Sequence, residues 1–154
     1  MERLIKLGQV RPGQFPAFRI SGRFFAKVVS VYDGDTITVL MALDEYAEFY
    51  EHKIRVYGYD SPELRPKRSK DYLKSRFDSR EDEKSAAKAA RDFLRERILD
   101  EIVEIRTVQN RDPFNRLLAE VYARDNDAEF NVNICDFMIS NGHGLKYYGK
   151  TKQQ

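Results

Sequence analysis

A chain of 154 residues and 18.1 kDa has the size of one domain, which excludes separately folded substrate and cofactor lobes. Hydrophobic residues at 42% and aromatics at 12% supply a core and argue against disorder, while a formal net charge of only +2 excludes a uniformly basic nucleic-acid coat protein. The single cysteine, Cys135, excludes an intrachain disulfide framework and any Cys-rich zinc site, and fits a reducing compartment.

From the N-terminus, Met1 to Gly22 mixes Arg3, Lys6, Arg11, Pro12, Pro16 and Arg19 with isolated apolar residues, so it lacks the apolar region of a signal peptide. No stretch approaches the roughly 20 apolar residues of a membrane helix. The expectation is a soluble, intracellular protein, cytoplasm favoured, with secretion left open if the sequence is a mature form. Phe24 to Tyr32 and Thr36 to Met41 are rich in β-branched and aromatic residues, and Asp33-Gly34-Asp35 between them reads as a tight hairpin turn. His52 to Tyr59 alternates as a third strand, with Arg55, Tyr57 and Tyr59 opposite Ile54, Val56 and Gly58, and Ser61-Pro62 ends it. Residues 65–80, rich in Lys, Arg and Ser, read as a long surface loop.

The period then changes to that of a helix. Between Asp82 and Leu99, Ala87, Ala90, Leu94 and Ile98 recur at helical steps, and Ser79 with Asp82 suits an N-terminal cap. Ile102 to Val108 and Arg116 to Ala123 predict two more strands around a loop containing Pro113. Asn131 to Asn141 predicts a short helix with Ile134, Cys135, Met138 and Ile139 inward, stopped by Gly142. Three strands, a helix, two strands and a helix suit an α+β fold: a five-stranded OB-type β-barrel with two or three helices. Residues 1–23 read as a basic N-terminal extension, 24–148 as the domain and 149–154 as a tail.

Zoning underlies the small net charge. Residues 1–27 hold six Lys or Arg against Glu2, and residues 65–76 hold six against Asp71. Residues 31–60 reverse this, with seven acids against Lys53 and Arg55, and Lys146, Lys150 and Lys152 follow Asn141 without an acid. Such runs are either solvated faces or, taken together, a cation site beside a bound polyanion. Asp33 and Asp35 around Gly34 are good turn formers and equally oxygen ligands of the kind Ca²⁺ or Mg²⁺ requires. Asp60-Ser61-Pro62-Glu63 offers a second carboxylate pair, either solvated at a proline turn or pointing into the same site. Arg55 carries a planar donor fork suited to phosphate, with a surface salt bridge as the plainer alternative. His143 at Asn141-Gly142-His143-Gly144 reads as structural, and Cys135 as core filler.

Three segments together carry a resemblance. Val29-Ser30-Val31-Tyr32-Asp33-Gly34-Asp35-Thr36, Ile54-Arg55-Val56-Tyr57-Gly58-Tyr59-Asp60-Ser61-Pro62-Glu63 and Asp112-Pro113-Phe114-Asn115-Arg116-Leu117-Leu118-Ala119 resemble, in order and spacing, the signature segments of the staphylococcal nuclease (thermonuclease) family. The likeness spans residues 24–148. It implies an OB-type barrel that hydrolyses phosphodiesters of DNA and RNA with Ca²⁺, leaving 3′-phosphate ends. It further implies that Asp35, Asp60 and the Ser61 carbonyl ligate one metal ion, calcium or another divalent ion, with Asp33 at most outer-sphere. Glu63 would activate the attacking water, and Arg55 and Arg116 would hold the phosphate. Tyr148 and Tyr147 would stack on the substrate, core packing being the alternative; Phe114 would stand at the substrate where many members have a tyrosine, without that tyrosine's hydroxyl contact to the phosphate. Ser61 likewise replaces a usual threonine.

These implications predict a monomeric calcium-dependent endonuclease acting on single-stranded or frayed DNA or RNA, with no membrane partner. The alternative is a non-catalytic single-stranded nucleic-acid-binding barrel, which usually lacks the metal and arginine positions that this chain retains. A calcium-binding interaction domain would leave the two arginines without a purpose.

Overall fold

The computed structural model describes residues 20–42, 49–65, 77, 79–108 and 116–148, together with isolated positions 2, 5, 8, 9 and 11. The expected basic loop therefore lies largely outside the described residues, as do Phe114, Pro113 and Asn115, most of residues 1–23, and the tail 149–154.

Strands β1 (Arg23–Val31) and β2 (Thr36–Met41) form the predicted hairpin, pairing antiparallel with Val31 opposite Ile37. β3 (Tyr50–Val56) pairs with β2, so that Thr36 stands opposite Arg55. The predicted continuous third strand is instead broken at Tyr57. Gly58 has φ +104, a conformation disfavoured for any residue with a Cβ, and it redirects the chain into the short strand β4 (Gly58–Asp60). A Cβ at Gly58 would stand 2.7 Å from Cys135 Sγ, so the kink also admits close packing against the second helix.

Helix α1 (Arg80–Ile98) starts where its cap predicts: the Ser79 hydroxyl accepts from the Asp82 backbone N–H. Its predicted apolar stripe, Ala87, Ala90, Leu94 and Ile98, is fully buried. β5 (Ile102–Thr107) and β6 (Leu117–Ala123) follow as an antiparallel pair, and β5 pairs in turn with β1. β7 (Val132–Asn133) pairs briefly with β6 and leads into α2 (Ile134–Ser140), capped by the Asn133 side chain. Gly142, at φ +78, follows its end. A further strand that the periodicity does not reveal, β8 (Leu145–Tyr147), pairs with β4.

The order β3-β2-β1-β5-β6 closes on itself because β3 also pairs with β6, in parallel. This is the α+β, OB-type five-stranded barrel with, among the described residues, two helices given by range. Closure satisfies the strand edges and gathers Val28, Ile37, Val39, Ile54, Ile105 and Val121 into an interior with no exposure. Among the described residues no helix is long and apolar enough to cross a membrane.

Candidate active site

The barrel brings three sequence-distant pieces to one end: the β1–β2 loop, the β3–β4 kink with the turn after it, and the residue preceding β6. Pairing in register does this. Thr36 opposes Arg55 across β2 and β3, and Leu117 opposes Ile54 across β3 and β6, so Arg116 enters beside the loop that carries Asp35.

Arg55 is the hub. It is 9% exposed, and its Nη1 donates to the carbonyls of Val56 at 3.0 Å and Tyr59 at 2.9 Å. The same nitrogen lies 3.2 Å from Asp35 Oδ2, and Nη2 donates to Asp60 Oδ1 at 3.2 Å. The plainer expectation of a surface salt bridge does not describe it. A buried guanidinium instead balances two carboxylates, one from the β1–β2 loop and one from the end of β4. Asp35 Oδ2 also accepts the Ser61 N–H at 2.9 Å, and Asp35 Oδ1 accepts the Thr36 hydroxyl at 3.1 Å. Asp33 Oδ1 accepts the Asp35 N–H at 3.1 Å; burial first, and then the charge of Asp35, push the Asp33 carboxyl up to about 7.

Glu63 lies half-buried after Pro62, and its N–H donates to Oε1 of Glu83 in the first turn of α1 at 3.4 Å. Glu83 is 4% exposed, a buried carboxylate behind the proposed base that helix periodicity alone reads as an ordinary first-turn acid. Arg116 Nη1 donates to the Thr36 hydroxyl at 2.8 Å. Tyr147 and Tyr148 are exposed, which sets aside core packing for both, and the Tyr148 ring centroid lies 5.5 Å from that of Tyr57. His143 packs its ring on Phe93, and Cys135 is buried, as expected of structural residues.

Gly34 sits in the predicted hairpin turn for a reason that turn preference does not supply. Its φ is not in the left-handed region, so its glycine is not there for turn geometry. A Cβ would stand 2.7 Å from Ser61 Cβ and 2.9 Å from Ala90 Cβ, so the loop requires a residue without a side chain to lie between the Ser61 turn and α1. The Ser61 hydroxyl is buried in this contact, with no hydrogen-bond partner among the described residues.

Tyr59 fixes the same loop from behind. It has no exposure, and its hydroxyl donates to the Gly34 carbonyl at 2.6 Å. Burial, and then the Asp35 charge, push this phenol well above its ordinary value, which keeps it a neutral donor. Gly144 admits the ring, since a Cβ there would stand 2.6 Å from Tyr59 Cδ2. Tyr59→Phe leaves the Gly34 carbonyl without this partner and is expected to destabilise the protein by about 1 to 3 kcal/mol in urea denaturation. A loss below about 0.5 kcal/mol would show that water or backbone movement replaces the bond.

The donors around Asp35 suit a hard cation. Asp35 and Asp60 are carboxylates that meet at one guanidinium, and Ser61, whose N–H bonds Asp35, would add its carbonyl oxygen. Among the described residues no group of three or more His, Cys, Asp or Glu side chains gathers to hold a metal. A buried arginine joining two carboxylates, with a second arginine beside them, at one end of an OB-type barrel defines the class by its fold: a closed α+β barrel that carries a charged cluster at one end. A family model described as staphylococcal nuclease homologue matches residues 53–154, two thirds of the chain, and the protein belongs to that family. The match takes in Arg55, Asp60, Ser61, Glu63 and Arg116 and begins after Asp35. No curated protein matches the chain.

Proposed function

We propose that the protein is a calcium-dependent nuclease that hydrolyses phosphodiester bonds within DNA or RNA and leaves 3′-phosphate ends. The observation that carries this reading is the convergence of Asp35 and Asp60 on one buried arginine, each at 3.2 Å, beside Ser61. A non-catalytic barrel of this kind usually lacks these carboxylate and arginine positions, and this chain has them all.

Asp35, Asp60 and the Ser61 carbonyl would hold the calcium ion, which when bound supplies positive charge to the non-bridging phosphate oxygens. Glu63 takes a proton from water, whose oxygen forms the new bond to phosphorus as the bond to the 5′-oxygen breaks and that oxygen takes up a proton from solvent to leave as the 5′-hydroxyl. Arg55 and Arg116 hold the phosphoryl oxygens and strengthen their bonds as charge builds there. Tyr147 and Tyr148 offer exposed faces on which unpaired bases stack, which favours single-stranded or frayed substrate.

Incubation with single-stranded DNA and with RNA, in calcium and in chelator, tests the reading. Wild type cleaves only with the divalent ion, and Glu63→Gln lowers kcat by about 100- to 10,000-fold, the span of general-base catalysis. Binding without cleavage in every divalent ion would leave the non-catalytic barrel as the function. Cleavage by Glu63→Gln at the wild-type rate would remove Glu63 as the base.

A further inference from the structure

Thr36 has no role in the chemistry just described, yet it stands between two residues that do. It is 7% exposed, and its hydroxyl oxygen accepts from Arg116 Nη1 at 2.8 Å while its hydroxyl donates to Asp35 Oδ1 at 3.1 Å. The direction of this chain is dictated by chemistry. A guanidinium has donors only, so toward Arg116 the threonine oxygen must accept. A carboxylate has acceptors only, so the single hydroxyl proton goes to the acid side, where Asp35 Oδ1 lies at 3.1 Å and the Asp33 carboxyl is also within reach of the hydroxyl. Each bond polarises the hydroxyl in the sense that strengthens the other.

The placement is equally constrained. Thr36 opens β2 opposite Arg55, and its β-branched side chain has few rotamers. Arg116 immediately precedes β6 and arrives through barrel closure, 80 positions later in sequence. The hydroxyl therefore ties the arginine to the loop that carries the carboxylate.

From this geometry we infer that Thr36 is a positioning residue, holding the Arg116 guanidinium in fixed relation to the Asp35 carboxylate so that phosphate and cation are received in one geometry. The inference rests on the nuclease reading above. Thr36 touches neither substrate nor cation in it and acts through the side chains around its hydroxyl, Arg116, Asp35 and the adjoining Asp33.

The test compares full-length wild type with Thr36→Val, Thr36→Ser, Arg116→Lys and the double variant Thr36→Val with Arg116→Lys, each first checked for folding by circular dichroism. Thr36→Ala replaces Thr36→Val if the latter does not fold. In chelator, nitrogen-15 NMR of the arginine side chains reads the tie without metal or turnover. The Arg116 signal, identified by its absence in Arg116→Lys, shifts and broadens in Thr36→Val and stays in place in Thr36→Ser.

In calcium, Thr36→Val lowers kcat by about 10- to 100-fold, the cost of misplacing a catalytic group by about 1 Å, and changes KM by less than about threefold. On the Arg116→Lys background the same substitution costs almost nothing, because the two changes remove one interaction. Thr36→Ser keeps the hydroxyl and recovers most of the lost rate. An unmoved Arg116 signal in Thr36→Val, or a kinetic loss that adds in full to that of Arg116→Lys, overturns the positioning role while an active wild type leaves the nuclease reading standing. A folded wild type that cleaves no nucleic acid in any divalent ion overturns both.

Discussion

Arg55→Met is expected to cost about 3 to 5 kcal/mol of stability in urea denaturation, the penalty of leaving a buried charge without its partner. The Asp35 side chain is 8% exposed and carries most of that penalty, whereas the Asp60 side chain, at 36%, is partly relieved by water. Methionine matches the aliphatic stem of arginine, so the loss reads charge and hydrogen bonding more than volume. The carbonyls of Val56 and Tyr59 lose their donor as well, which loosens the β3–β4 kink. Adding Asp35→Asn removes the uncompensated charge, and the double variant should regain part of the loss. A cost for Arg55→Met alone below about 1 kcal/mol would mean that the carboxylates rearrange into water, and that the hub role argued from burial is wrong.

Gly34→Ala has the second large effect, with a different origin. One methyl group must displace either the Ser61 turn or α1, because its Cβ would lie 2.7 Å from Ser61 Cβ and 2.9 Å from Ala90 Cβ. Overpacking of this kind costs about 1 to 3 kcal/mol. On the nuclease reading it also lowers kcat by about 100-fold, since Ser61 and Asp35 share a hydrogen bond and move together. Ala90→Gly in the same chain opens one side of the contact. It should restore activity more than stability, because glycine within α1 itself costs about 1 kcal/mol. Equal activity of Gly34→Ala and wild type would show that the loop has slack the packing does not reveal.

Both effects arise at residues whose type was legible but whose reason was not. Asp-Gly-Asp reads as a turn because those residues form turns, and a turn is what the chain makes there. That glycine is required for lack of a side chain, not for positive φ, depends on Ala90, a residue of a helix 56 positions further on. Arg55 on an alternating strand reads as a phosphate donor or a surface ion pair. Its burial follows from β4 bending back over it, and the bend follows from Gly58, which alternation alone places on an ordinary strand. β8 escaped because its three residues are exposed and lack the periodic pattern that marks a half-buried strand.

By itself the sequence determined the inventory and its order: β-branched runs of period two, one capped amphipathic helix, and three polar segments whose residue types suit cation and phosphate. Those properties are local, set by backbone sterics and by which side chains carry oxygen or guanidinium. Tertiary structure alone decided which of them touch. Strand register places Thr36 against Arg55, and closure of β3 on β6 delivers Arg116 to a hydroxyl 80 residues away. Such contacts depend on how many strands close the barrel and with what stagger, a property of the whole chain that no short segment encodes.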